Sequence, residues 1–366
     1  MKKVGIITFH CSYNYGSVLQ TYALQTYLNS LGYDVQVIDF VSETDFEQYK
    51  LFRTKLYKNN SKSFFSDLLF VSPHIRRKLT FEKFLKSKLN LTEKTYYKCH
   101  DLSELNDLID IFVCGSDQIW NIDCTNGVEP AYFLKFVEDE KLKIAYAPSL
   151  AHVEFAIDGK DELKVLIERL DFVSVREEST LPYLKSFCEK DITITVDPTL
   201  LLSANDYSDL TIGRKINEKY IFVYYLEINK ELISYCEKVK ESTGYKIYYV
   251  SSKVNSGMKS GKNLFGISPS EFLDYIRGAE YVITSSFHAT VFSILFQKQF
   301  CVFNTSKSFS RVTDLLGRLE LKDRIFNEGF DIDACIKYKI VMNKLDELRK
   351  SSYLFLEEAL NTEIEQ

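Results

Sequence analysis

The feature that most constrains this chain is a repeated alternation. Short aliphatic and β-branched runs each hand over to a polar loop, and helical patterns separate many of them. Lys3–Phe9 (KVGIITF) reads as a buried strand. His10–Gly16 is polar, and Ser17–Leu31 has apolar residues at helical spacing, closed by Gly32. Asp34–Phe40 (DVQVIDF) is a second strand. Strand, loop, helix and strand predict a βαβ unit with parallel strands and a right-handed crossover. Further strands are expected at Asp110–Cys114, Lys143–Ala147, Asp171–Val175 and Ile192–Val196. A second series follows at Tyr220–Leu226, Lys246–Val250, Tyr281–Thr284 and Phe300–Phe303. Helices are expected at Lys230–Ser242, Pro269–Gly278 and Ala289–Phe296, the second opened by a capping box of Ser268 and Glu271.

The fold class is therefore α/β, with two Rossmann-like parallel-sheet domains and a cleft expected between them. The N-terminal domain is placed at 1–210 with an insertion at about 42–100, and the C-terminal domain at 211–340. Residues 341–366 are read as a C-terminal helix that crosses back to the first domain. At 366 residues the chain has the length for two such domains.

Charge and cysteines exclude several functions. Lys and Arg number 46 against 51 Asp and Glu, a net charge of −5 that gives no general attraction to nucleic acid. The eight cysteines never fall at CxxC spacing, and no His and carboxylate cluster suggests a metal site. No apolar run reaches the roughly 20 residues of a membrane helix, and the first residues read as a strand instead of a secretion signal. The chain is expected in the cytoplasm, with the inner face of the cell membrane as a further station. The stretch 74–90 (HIRRKLTFEKFLKSKLN) carries six Lys and Arg against Glu82. It reads either as a solvated helix face or as a surface for acidic lipid headgroups.

Chemistry is sought in the loops at the strand ends, where ligands of such sheets bind. His288 follows a strand through Ser285, Ser286 and Phe287 and stands before an apolar helix. A helix N-terminus favours anions, and a histidine beside a bound anion can shuttle a proton. The alternative is a capping or packing histidine. Arg176 directly follows a strand and would either grip a carboxylate or phosphate or pair with Glu177 or Glu178. The segment 10–17 (HCSYNYGS), with His10, Asn14, Tyr15 and Gly16, would cradle an anion or simply connect strand to helix. In 115–121 (GSDQIWN), Gly115, Ser116, Asp117 and Gln118 stand beside the lone Trp120, as a sugar-gripping surface or a structural loop. Asp197 reads as part of a turn toward the second domain.

Taken together these loops resemble the polysaccharide pyruvyl transferase family. The matching stretches are 5–40, FVCGSDQIWN (112–121), IAYAPSLA (144–151), SVRE (174–177), VDPTLLL (196–202) and 268–300, in the family's order. The resemblance implies a GT-B-like arrangement. It also implies transfer of an enolpyruvyl unit from phosphoenolpyruvate to two hydroxyls of one sugar. The product is a cyclic pyruvate ketal on a surface polysaccharide or its lipid-linked precursor. No cofactor is implied beyond phosphoenolpyruvate as donor substrate; the partners are that donor and a saccharide or lipid-linked oligosaccharide acceptor. His288 matches the family's catalytic acid or base, and Arg176 a donor-binding arginine. Ser286 stands where some members carry arginine, Ser285 where an acidic or amide residue is common, and Ala289 where glycine is common. Phosphate neutralisation then falls to Lys307, Arg311 or helix N–H groups. Two other readings compete: a glycosyltransferase using a nucleotide sugar, and a non-catalytic scaffold in polysaccharide assembly.

Overall fold

The computed structural model of the 366-residue chain describes residues 1–42, 71–151, 160–214, 216–251, 257–304 and 309–362. Two compact units emerge. The first comprises Met1–Tyr49, Leu85–Leu202 and Asn343–Gln366, the second Lys50–Phe84 and Ser203–Met342.

The first unit is built on a six-stranded sheet. Its strands are β1 (Lys3–Ile7), β2 (Asp34–Val37), β3 (Ile111–Cys114), β4 (Leu142–Ala145), β5 (Phe172–Val175) and β6 (Ile192–Ile194). They lie in the order β2-β1-β3-β4-β5-β6, and every pairing is parallel. β3 and β4 are buried throughout, as strands covered on both faces must be, which is why their sequences do not alternate. The aromatic rings of Phe9, Phe40 and Tyr132 meet edge to face at 5.2–5.6 Å on one side of this sheet. Trp120 stacks on Phe133 at 5.0 Å and donates to the Tyr132 carbonyl, so it plugs the core.

The second unit holds β7 (Tyr220–Tyr225), β8 (Lys246–Ser251), β9 (Lys262–Asn263), β10 (Tyr281–Thr284) and β11 (Gln299–Val302). The order is β11-β10-β7-β8-β9, again all parallel. The helix Pro269–Gly278 opens with the expected capping box, Ser268 and Glu271 exchanging hydrogen bonds.

Three boundaries differ from the sequence reading. Residues 71–84 belong to the second unit, not to an insertion of the first. Thr80 donates to the Gly266 carbonyl at 3.1 Å, and His74 and Arg77 pack on the Phe265 ring. These are contacts across some 190 residues, invisible to local periodicity. The units divide after Leu202 instead of residue 210, because Tyr207 packs on Phe292 and Ala204 accepts from Arg277. The last helix runs Tyr338–Asn361, with Asn343 onward in the first unit. There Ser352 accepts from the Val196 N–H, Arg349 donates to the carbonyls of Leu200 and Leu202, and Tyr353 donates to that of Leu201.

Candidate active site

The candidate residues form two sets, one at the carboxyl ends of the strands in each unit.

In the first unit, the loop after β1 leads into the helix Tyr15–Ser30, capped by Asn14, whose side chain accepts from the Gly16 N–H at 2.9 Å. Gln20 on this helix ties two loops together. Its amide donates to Thr8 Oγ1 at 2.9 Å and accepts from the Ser116 N–H at 3.2 Å, while Thr8 donates to the Ser116 carbonyl. Gly115 has φ +118, and a Cβ there would stand 2.1 Å from the Tyr146 carbonyl oxygen, so only glycine fits. Asp117 is left-handed at φ 64 and accepts from Ser17 Oγ at 2.5 Å. Ser116 and Asp117 are nearly fully buried; Asn14 and Gln118 are half-buried.

Arg176, 4% exposed, stands at the end of β5. Its Nε donates to Glu177 Oε1 at 3.1 Å and its Nη1 to Asp197 Oδ2. Asp197 in turn accepts from the N–H and hydroxyl of Thr199. Burial works against the guanidinium charge, but the carboxylates of Glu177, Asp197 and Asp117 outweigh it and raise its pKa further. Of the two readings of Arg176, the ion pair is the one the coordinates show, with Asp197 as a partner that lay 21 residues away in sequence. Ser174, two residues earlier on β5, donates to the Ala145 carbonyl and accepts from the Ala147 N–H and Thr195. Strands β4, β5 and β6 are thus laced together beneath the loops.

His10 is paired inside the first unit. It is fully buried, with Nε2 2.8 Å from Asp39 Oδ1 and Nδ1 3.3 Å from the Thr8 carbonyl. Tyr15 and Gly16 are likewise buried in the first helical turn. Burial pushes the Asp39 carboxyl up, but the hydrogen bond and charge of His10 and a hydrogen bond from Thr95 hold it below its ordinary value. A carboxyl lowered in the folded state contributes stability that is present above its unfolded value and lost as pH falls through the folded one. Resistance to urea should therefore decline as pH drops below about 4. The decline should be shallower in Asp39→Asn; identical slopes would refute the contribution of this pair.

In the second unit, β10 ends in a serine turn. Thr284 Oγ1 donates to the Tyr224 carbonyl at 2.6 Å and accepts from the Ser286 N–H at 3.0 Å, which fixes the turn against β7. The helix starts at Phe287, two residues earlier than the sequence reading, with Ser286 as cap. His288 is thus within the first turn, 7% exposed, its ring 5.1 Å edge-on to Phe287. Arg311, on the helix Phe309–Arg318, lies over that same Phe287 ring, its guanidinium carbon 5.7 Å from the ring centroid. Arg311 and Ser285 are 6% and 4% exposed. Among the described residues Ser285 Oγ has no hydrogen-bond partner. The structure therefore gathers Ser285, Ser286, His288 and Arg311 around one helix N-terminus, an arrangement suited to an anion. Lys307 lies outside the described residues. No group of three or more His, Cys, Asp or Glu is placed to hold a metal among the described residues, and no described helix is long and apolar enough to cross a membrane.

Gln20, Ser174 and Glu177 hold the first set in place and were not candidates from sequence. Only Glu177 carried a signal there, as a neighbour of Arg176.

Comparison with solved structures gives the fold class. A protein from Listeria monocytogenes assigned as a UDP-N-acetylglucosamine 2-epimerase aligns over 99% of this chain and 91% of its own, with TM-score 0.55 and 9% identity. At that identity the likeness concerns the fold alone, the two-sheet α/β class known as GT-B. The glycosyltransferase SnogD from Streptomyces nogalater aligns more loosely, over 99% and 95%, with TM-score 0.42 and 12% identity. No curated protein matches the chain. The model of the family described as polysaccharide pyruvyl transferase matches residues 14–307, a span that takes in every described candidate but His10 and Arg311, and the chain belongs to that family of transferases.

Proposed function

We propose that the protein moves an enolpyruvyl unit from phosphoenolpyruvate to two hydroxyls of one sugar on a polysaccharide or its lipid-linked precursor, releasing phosphate. The observation that carries this reading is the anion-suited helix start of the second unit, Ser285, Ser286, His288 and Arg311, in a chain of this family. Phosphoenolpyruvate carries a phosphate and a carboxylate, which ask for a cation and N–H or O–H donors. Arg311 supplies the cation, and the Ser285 hydroxyl and the first N–H groups of the helix supply donors. His288 gives a proton to carbon 3, and carbon 2 becomes cationic. A sugar hydroxyl oxygen bonds to carbon 2 and loses its proton. The second hydroxyl then displaces phosphate from the same carbon, closing the ketal. The sugar loses two protons, carbon 3 gains one, and phosphate leaves with the other.

In the first unit, Asp117, Gln118 and Asn14 are the groups proposed to take sugar hydroxyls. Arg176 is proposed to hold the Asp197 and Glu177 loops in position, since a guanidinium facing carboxylates is a poor grip for a second anion.

The test is a thermal-shift series joined to a phosphate-release assay. Phosphoenolpyruvate should raise the melting temperature, and phosphate should appear only when a galactose- or mannose-type acceptor is added. Stabilisation by a nucleoside diphosphate with none by phosphoenolpyruvate would instead favour a nucleotide-sugar glycosyltransferase.

A further inference from the structure

We propose that the helix Val71–Lys88 docks the protein on an anionic bilayer surface. This helix has two unlike sides. Phe81, Phe84 and Leu85 are buried, Arg77 sits between the Phe81 and Phe265 rings, and Thr80 donates to the Gly266 carbonyl. Ile75, Arg76, Leu79, Lys83 and Lys86 are all exposed. At about 100° per residue these five fall within an arc about 100° wide, and they span about 16 Å along the axis.

The composition of that arc points to its occupant. Ile75 is 38% and Leu79 60% exposed, large aliphatic side chains for an open helix face. Arg76, Lys83 and Lys86 surround them with positive charge on a protein whose net charge is −5. The one acid of the helix, Glu82, stands 3.6 Å from Lys78. A polyanion such as RNA would use the cations and have no use for the aliphatic pair. An anionic bilayer uses both: the cations are drawn to the headgroups and the aliphatic side chains enter the boundary beneath them. The inference stands apart from the catalytic reading, although a lipid-linked acceptor would be met at such a surface.

The test is sedimentation of the full chain with vesicles. Retention is expected on vesicles of equal parts phosphatidylglycerol and phosphatidylcholine at low salt, falling as salt is raised, with little on pure phosphatidylcholine. Arg76→Glu/Lys83→Glu/Lys86→Glu should bind about 100-fold more weakly, from about a fivefold loss for each of the three cations. Ile75→Gln/Leu79→Gln should lose about tenfold. The proposal is overturned if anionic vesicles retain nothing at low salt or if both variants bind like the parent. It is equally overturned if duplex RNA captures the protein with no loss in Ile75→Gln/Leu79→Gln.

Discussion

His288→Ala should slow pyruvyl transfer by about 10²–10⁴-fold, the contribution of one positioned acid or base, equivalent to about 3–5 kcal/mol in the barrier. His288 occupies the first turn of a helix that Ser286 caps and the Thr284 hydroxyl anchors to β7, so its imidazole is carried on a rigid element. Because the side chain is only 7% exposed, truncation leaves space, and His288→Gln is the control that fills it. In the glutamine variant the urea midpoint should stay close to that of the parent while the rate falls. The half-saturating concentration of phosphoenolpyruvate should change little, since Arg311 remains. A variant that keeps its rate, or one in which only donor affinity falls, would remove His288 from proton transfer.

Arg176→Met should lower folding stability by about 3–5 kcal/mol, the cost of leaving buried carboxylates without their cation. Glu177 and Asp197 are each 1% exposed, and both hydrogen-bond the guanidinium. The loop Val196–Leu202 that carries Asp197 is also held from the last helix by Ser352, Arg349 and Tyr353, so it cannot move out to hydrate the carboxylate. Neutralising the acids as well, in Arg176→Met/Glu177→Gln/Asp197→Asn, should recover a large part of the loss, because no isolated charge then remains. Urea midpoints measure both. A donor-gripping arginine predicts the opposite pattern: Arg176→Met folds like the parent and loses affinity for phosphoenolpyruvate.

How the sequence maps onto these results depends on the range of the forces involved. The runs IFVC of β3 and YIFVYY of β7 read correctly as buried strands, because burial on both faces is written in consecutive residues. The capping box at Ser268 and Glu271 was equally legible, being a contact over three residues. The His288 helix starts two residues before the expected Ala289, because Ser286, held in its turn by Thr284, caps it through the Ala289 N–H. Pairings over longer separations left no local trace. Asp197 lies 21 residues from Arg176, and Asp39 lies 29 from His10, so one candidate became an ion pair and the other a buried histidine. Gly115 reads as a loop glycine; its necessity comes from the Tyr146 carbonyl just past the neighbouring strand β4. The basic stretch 74–90 declared its charge in sequence, whereas the exposure of Ile75 and Leu79 beside that charge became visible only on the folded helix.

The most direct test of the proposed chemistry is to run the reaction in deuterated water and weigh the acceptor. With phosphoenolpyruvate and an acceptor that carries a suitable pair of hydroxyls, the sugar should gain the mass of one pyruvate less one water. Its ketal methyl should hold one deuteron from solvent, with one phosphate released per ketal formed. Phosphate released without any gain in acceptor mass, or a ketal methyl free of solvent deuterium, would contradict the account.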